Sequence, residues 1–231
     1  MLQEVAIQSL ADEVNAMLDS AATIAREEGI YLALPVRLTL SKGRFENVVR
    51  NFDPNGNVVL EHLKFGGAQF EGSVSGSGEL QIVDAPYGRL SAAICWDAGF
   101  PDVIRQAGAM NVDLPLHPSN DWFAIRSLHP QMATFRAVEN GMAIFRQTAN
   151  GVSSVIDQYG RVINRVDIYV QDPDAWDGLQ IVDVPMGAVD TLYPETSDVI
   201  GLASLASLAS FLGLLGLALF KRHGRDTQAV A

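Results

Sequence analysis

Val199 to Phe220 reads VIGLASLASLASFLGLLGLALF, 22 residues without a charge. A run of that length spans a hydrocarbon core of about 30 Å as a helix. Asp198 precedes it and Lys221-Arg222-His223-Gly224-Arg225 follows. The positive-inside rule assigns residues 221–231 to a cytoplasmic tail, 198–220 to a transmembrane helix and 1–197 to a domain on the extracytoplasmic side. The Leu-Ala-Ser repeat from Leu202 to Ser210 brings small residues round every three positions, which suits close packing against another membrane helix. A buried helix of a soluble protein is the alternative.

The net charge of −11 opposes a nucleic-acid partner, which favours a basic stripe. The tail takes three of the 16 basic and one of the 27 acidic residues, leaving 13 against 26 before it. One cysteine precludes an internal disulfide and any multi-cysteine metal centre. Met1-Leu-Gln-Glu-Val-Ala6 has neither a basic n-region nor an apolar h-region, so it does not read as a signal peptide. A domain outside the cytoplasm then requires the polypeptide to continue upstream, and the chain is expected to be N-terminally truncated.

Before the membrane segment, the periodicity alternates. Val14, Met17, Leu18, Ala21, Ile24 and Ala25 predict a helix over 12–28, stopped by Gly29. Strands are predicted over 30–40 (interrupted near Pro35), 48–52, 57–63, 80–83, 89–94, 112–116, 142–146, 152–157 and 161–166, with hairpin turns at Asp53-Pro-Asn-Gly56 and Gln158-Tyr-Gly160. Residues 66–78 read as a Gly/Ser-rich loop, and 103–109 and 129–140 as helices, the first capped by Asp102. Buried strands alternating with helices predict an α/β sandwich.

Cys95 closes the apolar strand Leu90–Ile94, and small residues and Pro101 follow. A nucleophile on a tight strand-to-helix turn is held clear of the sheet beside backbone N–H groups, a setting that favours a thiolate and stabilises an oxyanion. A lone cysteine is more often a small core hydrophobe. His62, His117 and His129 could each partner a thiol, but none has a distinctive setting, and structural or surface roles are expected for them. Lys64 ends a strand just before Phe65-Gly-Gly67, where it can be drawn into a cleft to offset an oxyanion, unless it is a surface lysine. His117-Pro-Ser-Asn-Asp-Trp122 follows a buried strand, at the sheet edge where α/β proteins gather ligands.

Several ordered segments resemble the nitrilase (carbon–nitrogen hydrolase) superfamily. Gly88-Arg-Leu-Ser-Ala-Ala-Ile-Cys-Trp-Asp97 with Phe100-Pro101 looks like its nucleophile segment, and Pro118-Ser-Asn-Asp-Trp122 like the segment after the next strand. Phe135-Arg-Ala-Val-Glu-Asn-Gly141 and Arg146–Gly160 are similar to two further stretches. Thr191-Leu-Tyr-Pro194 through Asp198, leading into a last membrane helix, is similar to the apolipoprotein N-acyltransferase branch. The resemblance implies a four-layer αββα sandwich, here missing its first elements, followed by one C-terminal transmembrane helix.

It also implies a Glu, Lys and Cys triad. Cys95 matches the nucleophile. Lys64 matches the oxyanion-stabilising lysine, although the usual Lys-x-His-Leu-x-Pro-Phe-Gly-Glu is replaced by Lys-Phe-Gly-Gly-Ala-Gln-Phe-Glu71. Glu71 then stands for that segment's glutamate, and Glu4, placed before the first helix, for the general base. Asp97 lies where the acyltransferases usually carry glutamate. Trp96 through its backbone N–H, Asn120, Asp121, Trp122 and Glu139 complete the supporting or substrate-binding set. No cofactor and no metal are implied.

The implied chemistry is a Cys95 thioester resolved by a second nucleophile. With an amine, the enzyme is an N-acyltransferase moving an acyl group from phospholipid to a lipoprotein. With water, it hydrolyses amides or nitriles. An inactive relic or a binding module is the reading from another class.

Overall fold

The computed structural model describes the backbone of residues 2–40, 43–171 and 178–228, with side chains from residue 10 to 220 apart from those gaps and residue 219. Residues 1–194 form one compact unit and 195–231 a second.

The first unit opens on helix α1 (Leu2–Glu28). It starts ten residues ahead of the predicted Asp12, because no proline or glycine interrupts the chain before Gly29. Gly29 ends it in the left-handed conformation at φ 64°, and Ile30 N–H returns to the Ala25 carbonyl. A three-stranded antiparallel sheet follows: β1 (Leu32–Thr39), β2 (Phe45–Phe52) and β3 (Val58–Leu63), in that order. Pro35 lies inside β1 opposite Val49 and does not interrupt it. An edge strand tolerates proline, since its lost N–H falls on the unpaired side. Between β2 and β3, Asp53 Oδ1 accepts the N–H groups of Asn55 and Asn57, and Gly56 takes φ 79°, as the turn sequence requires.

A short helix α2 (Ala68–Glu71) interrupts the predicted glycine-rich loop. The second sheet runs β4 (Ile82–Ala85), β5 (Gly88–Ala92), β6 (Leu114–Leu116), β7 (Ile144–Arg146), β8 (Val152–Ile156) and β9 (Val162–Asp167), in sequence order. Its centre, β5-β6-β7, is parallel and its flanks are antiparallel. Helices α3 (Pro101–Ala109) and α4 (Leu128–Asn140) supply the crossovers. Pro101 takes the first position of α3 with Phe100 as its cap, so Asp102 lies within the first turn and does not cap it.

Three apolar clusters define four layers. Leu18, Ala21 and Ala25 of α1 pack on Val36, Val48 and Phe52 of the first sheet. Val49 and Leu60 of that sheet meet Ala92, Ile94 and Cys95 of the second. Val103, Ile104, Ala107, Ala133 and Ala137 of α3 and α4 cover Ala93, Ile144 and Ile156 on its far face. The layers are α, β, β, α, and Cys95 belongs to the inner seam.

The second unit contains α6 (Val199–Gln228), preceded by the short α5 (Tyr193–Thr196) at the junction. Val199–Ala218 of α6 is long and apolar enough to cross a membrane, and none of it is buried. Ser204, Ser207 and Ser210 each donate a hydroxyl hydrogen to the carbonyl four residues back, on Ile200, Ala203 and Ala206.

Candidate active site

Strand β5 is buried through Leu90, Ser91 and Ala92, and the chain turns sharply at Cys95 into a 3-10 turn (Cys95–Gly99). Cys95 has φ 50°, a left-handed conformation that costs an L-residue roughly 1–2 kcal/mol. Its surroundings hold it there. Cys95 N–H donates to the Pro118 carbonyl at 2.9 Å, and His117 Nε2–H donates to the Cys95 carbonyl at 2.8 Å. The thiol faces the Asn120 carbonyl at 3.9 Å.

Asp97 fixes the elbow to the end of β3. One carboxylate oxygen accepts the N–H groups of Phe65 and Gly66 at 3.1 and 2.6 Å. The other takes Ile94 N–H at 2.7 Å and His62 Nε2 at 2.8 Å. Burial acts to raise this carboxyl, and the bonds from His62, Gly66 and Ile94 outweigh it, holding it below the ordinary carboxylate value. Gly66 is required by contact: a Cβ there would lie 2.7 Å from the carbonyl carbon and oxygen of Trp96.

Period-two alternation along β3 buries Leu60, His62 and then Lys64. Lys64 Nζ reaches both carboxylate oxygens of Glu71, at 2.5 and 2.6 Å, and Asn47 Nδ2 also approaches Glu71 at 3.4 Å. A cavity of about 590 Å³ is lined by Lys64, Glu71, Cys95 and Asn120, with Arg37 and Phe45 among its remaining walls. The Arg37 guanidinium stacks on the Phe45 ring at 3.7 Å. Asn120 Oδ1 accepts Nδ2–H of Asn150 at 2.8 Å.

The structure therefore brings Cys95, Lys64, Glu71 and Asn120 to one cavity. Trp96 packs its ring against Phe70 at 6.0 Å, and Trp122 is half-exposed. Asp121 lies buried outside the cavity lining, and Glu139 pairs with Arg136 on α4 at 2.8 Å. The side chain of Glu4 lies outside the described residues. Its backbone is inside α1 and not ahead of the first helix, since α1 starts at Leu2.

None of the three histidines is a surface group. His62 braces Asp97. His117 is drawn down to about 4, chiefly by burial and then by the nearby Arg146 cation, so it is neutral and donates from Nε2. His129 Nδ1 lies 2.8 Å from Asp121 Oδ1, and Arg146 Nη2 donates to Asp121 Oδ2 at 2.7 Å. Burial opposes the His129 cation, but Asp121 and Cys95 outweigh it and lift the group to about 9. Burial likewise acts to raise Asp121, and His129 with Arg146 holds it below the usual range. The sequence offered one clue to this set, the dense polar residues of 117–122 at a parallel strand's end.

The carbon-nitrogen hydrolase family pattern matches residues 2–192. The chain is a carbon–nitrogen hydrolase family member. It is 26% identical to a hydrolase of Schizosaccharomyces pombe over 180 residues, covering 68% of this chain and 55% of that protein. It is 27% identical to an apolipoprotein N-acyltransferase of Pseudomonas aeruginosa over 193 residues, covering 73% and 38%. A Rickettsia bellii apolipoprotein N-acyltransferase is 33% identical over 97 residues, covering 40% and 19%. The chain thus spans about half or less of the length of these relatives.

The fold is similar to that of an amidase from Nesterenkonia sp. AN1, at TM-score 0.58 and 22% identity over 68% of this chain and 65% of that one. That amidase, as a mutant, carries the acetamide moiety of fluoroacetamide added covalently at its active-site cysteine. The nitrilase-type sandwich expected from the sequence is the observed fold, and the family is one of enzymes that includes acyltransferases and hydrolases.

Proposed function

We propose that this chain transfers acyl groups through a Cys95 thioester, from phospholipid to the N-terminal amine of a lipoprotein. The observation that carries this reading is the strained Cys95 elbow opening into the cavity that also receives the buried Lys64 and Glu71. Cys95 attacks the ester carbonyl, and Lys64 with the Trp96 N–H stabilises the oxyanion. Glu71 keeps the Lys64 ammonium oriented, and Glu4 is the general base that the family resemblance supplies. Asn120 borders the acyl site, and Asp97 carries the elbow. No cofactor or metal takes part.

The membrane reading follows from α6. Residues 198–220 anchor the domain formed by 1–197, and the basic 221–231 stays in the cytoplasm, leaving the catalytic face extracytoplasmic. Arg37, stacked on Phe45 beside the cavity, offers a guanidinium to a lipid phosphate. Amide hydrolysis is the second reading, favoured by the likeness in fold to an amidase with an active-site cysteine.

The deciding experiment is mass spectrometry of the full chain in detergent after incubation with phospholipid or a small amide. An acyl adduct on Cys95 from phospholipid, discharged by a lipopeptide amine, is expected. An adduct from the amide alone, discharged by water, would favour hydrolysis. With neither, the chain is an inactive relic or a binding module.

A further inference from the structure

A smaller pocket, of about 120 Å³, lies between α4 and the β8–β9 hairpin. None of its lining residues is shared with the Cys95 cavity. Ser127, Gln131 and Thr134 line it from the helix, at a spacing that puts them on one face. Ser154 and Arg165 line it from the sheet. These two are directly opposite on the antiparallel ladder, so their side chains leave the sheet on the same side. That side is the one α4 covers, since Ile156, two residues beyond Ser154, shares a cluster with Ala133 and Ala137.

Both sheet residues have polar groups to spare. Ser154 is 1% exposed, and among the described residues its hydroxyl has no hydrogen-bond partner. Buried hydroxyls are seldom left so, and this one belongs to a pocket wall, a turn about Cα–Cβ away from whatever enters. Arg165 is exposed at the mouth, and among the described residues its guanidinium has no carboxylate partner. The carboxylate on the same side of β9, Asp167, is committed to Arg126 at 3.4 Å and to the Tyr169 N–H at 3.2 Å. On the helix side, Ser127 precedes the first turn of α4 and its hydroxyl caps none of the N–H groups there, where the helix dipole favours negative charge. The Thr134 hydroxyl is spent on the Pro130 carbonyl at 3.0 Å. The lining thus offers a guanidinium, two hydroxyls and the Gln131 amide, with no carboxylate among its residues. In a chain of net charge −11, such a local excess of donors is selective for an anion.

We propose that this pocket binds a single oxyanion of the phosphate class, held by the Arg165 guanidinium and the Ser154 hydroxyl, with Ser127 and Gln131 closing from α4. The volume suits one such group and no acyl chain. The guanidinium fork matches two phosphate oxygens, and the hydroxyls reach those that remain. Free phosphate and the phosphomonoester headgroup of a lipid share this chemistry. The site is independent of the acyl-transfer reading and involves no covalent step.

The test is thermal unfolding of the full chain in detergent, in phosphate against chloride at matched ionic strength. Phosphate also stabilises folded proteins by its exclusion from their surfaces, so the site is read from differences between variants. The wild-type midpoint is expected to rise with phosphate concentration as ligand binding requires. Arg165→Gln should weaken the apparent affinity at least about tenfold. Ser154→Ala should unfold no lower than wild type in chloride, since the unpartnered hydroxyl is gone, and should lose most of the phosphate response. Arg37→Gln, which removes the guanidinium beside the Cys95 cavity, should keep that response. A response equal in all four proteins is the general salt effect and overturns the site, as does one lost in Arg37→Gln and kept in Arg165→Gln. A Ser154→Ala variant that unfolds lower in chloride overturns the role of its hydroxyl. A second arm compares nanodiscs of phosphatidylcholine with nanodiscs containing phosphatidate. A response to phosphate in solution assigns the site to the free ion. A response to phosphatidate alone, again lost in Arg165→Gln, assigns it to a lipid headgroup, and no response in either arm overturns the proposal.

Discussion

The carboxylate of Asp97 accepts the backbone N–H of Gly66 at 2.6 Å, across the seam between the two sheets. Gly66 is two residues beyond Lys64, and Asp97 two beyond Cys95. One hydrogen bond therefore fixes the lysine and the thiol in a common frame, although they arrive on different sheets.

Breaking that frame should cost stability and activity together. Gly66→Ala sets a Cβ against Trp96 backbone, which cannot swing aside as a side chain would. A loss of about 2 kcal/mol is expected by chemical denaturation. Asp97→Asn replaces an anion holding three N–H groups and His62 with a group that has a single acceptor oxygen, and should lose about 2–3 kcal/mol. Unchanged unfolding midpoints in both would show that the seam is held otherwise.

At Cys95 the backbone and the chemistry make opposite demands. Glycine adopts φ 50° freely, so Cys95→Gly should be more stable than Cys95→Ala by about 1 kcal/mol. Both variants, with Cys95→Ser, should form no acyl adduct. Equal stability of the Gly and Ala variants would mean that the elbow relaxes once the thiol is gone.

The Lys64–Glu71 pair is asymmetric, with Lys64 buried and about a third of the Glu71 side chain exposed. Glu71→Gln leaves a buried cation without its partner and should cost about 3 kcal/mol. Lys64→Met leaves a carboxylate that water can reach, and should cost about 1 kcal/mol or less, since exposed charges are worth little. The double variant should recover most of the Glu71→Gln loss yet stay inactive. A double-mutant cycle with no coupling would contradict the pairing.

Stability should peak near the ordinary histidine pKa of about 6.5. His117 is depressed to about 4, so the unfolded chain binds the extra proton between those values and stability falls as pH drops from 6.5 to 4. His129 is raised to about 9, so its contribution is complete below 6.5 and is lost as pH rises through 9. Each limb should approach a slope of about 1.4 kcal/mol per pH unit. Below pH 4 the depressed Asp97 and Asp121 add to the acid loss as they are protonated. His129→Gln should remove the alkaline limb alone, and a limb that persisted would assign it elsewhere.

Much of the fold was legible because its cues are local. Asp53 to Gly56 is a turn whatever surrounds it, and the apolar run into Cys95 marks β5, although the strand itself ends at Ala92, two residues short of the predicted Ile94. Pro35 misled because proline is a breaker only where its missing N–H is needed, and the edge position of β1 is a tertiary fact. The α1 start was misjudged although Leu2, Val5, Ala6 and Leu10 carry the apolar spacing upstream of Asp12 and nothing among them stops a helix. Cys95, Lys64, Glu71 and Asn120 could be drawn toward one site from ordered motifs. The pairing of His129 with Asp121 could not, because residues eight positions apart meet only through the path of the loop between β6 and α4. The Arg136–Glu139 pair is of the other kind, set by helical spacing within the predicted 129–140 helix.

The three serine hydroxyls of α6 are bonded within their own helix. In hydrocarbon, a free hydroxyl would press for a neighbour to accept its hydrogen. Here that demand has already been met, so the polar atoms of the repeat do not oblige the helix to find company. If α6 lies in lipid, its three serine hydroxyl hydrogens need no acceptor on a second helix.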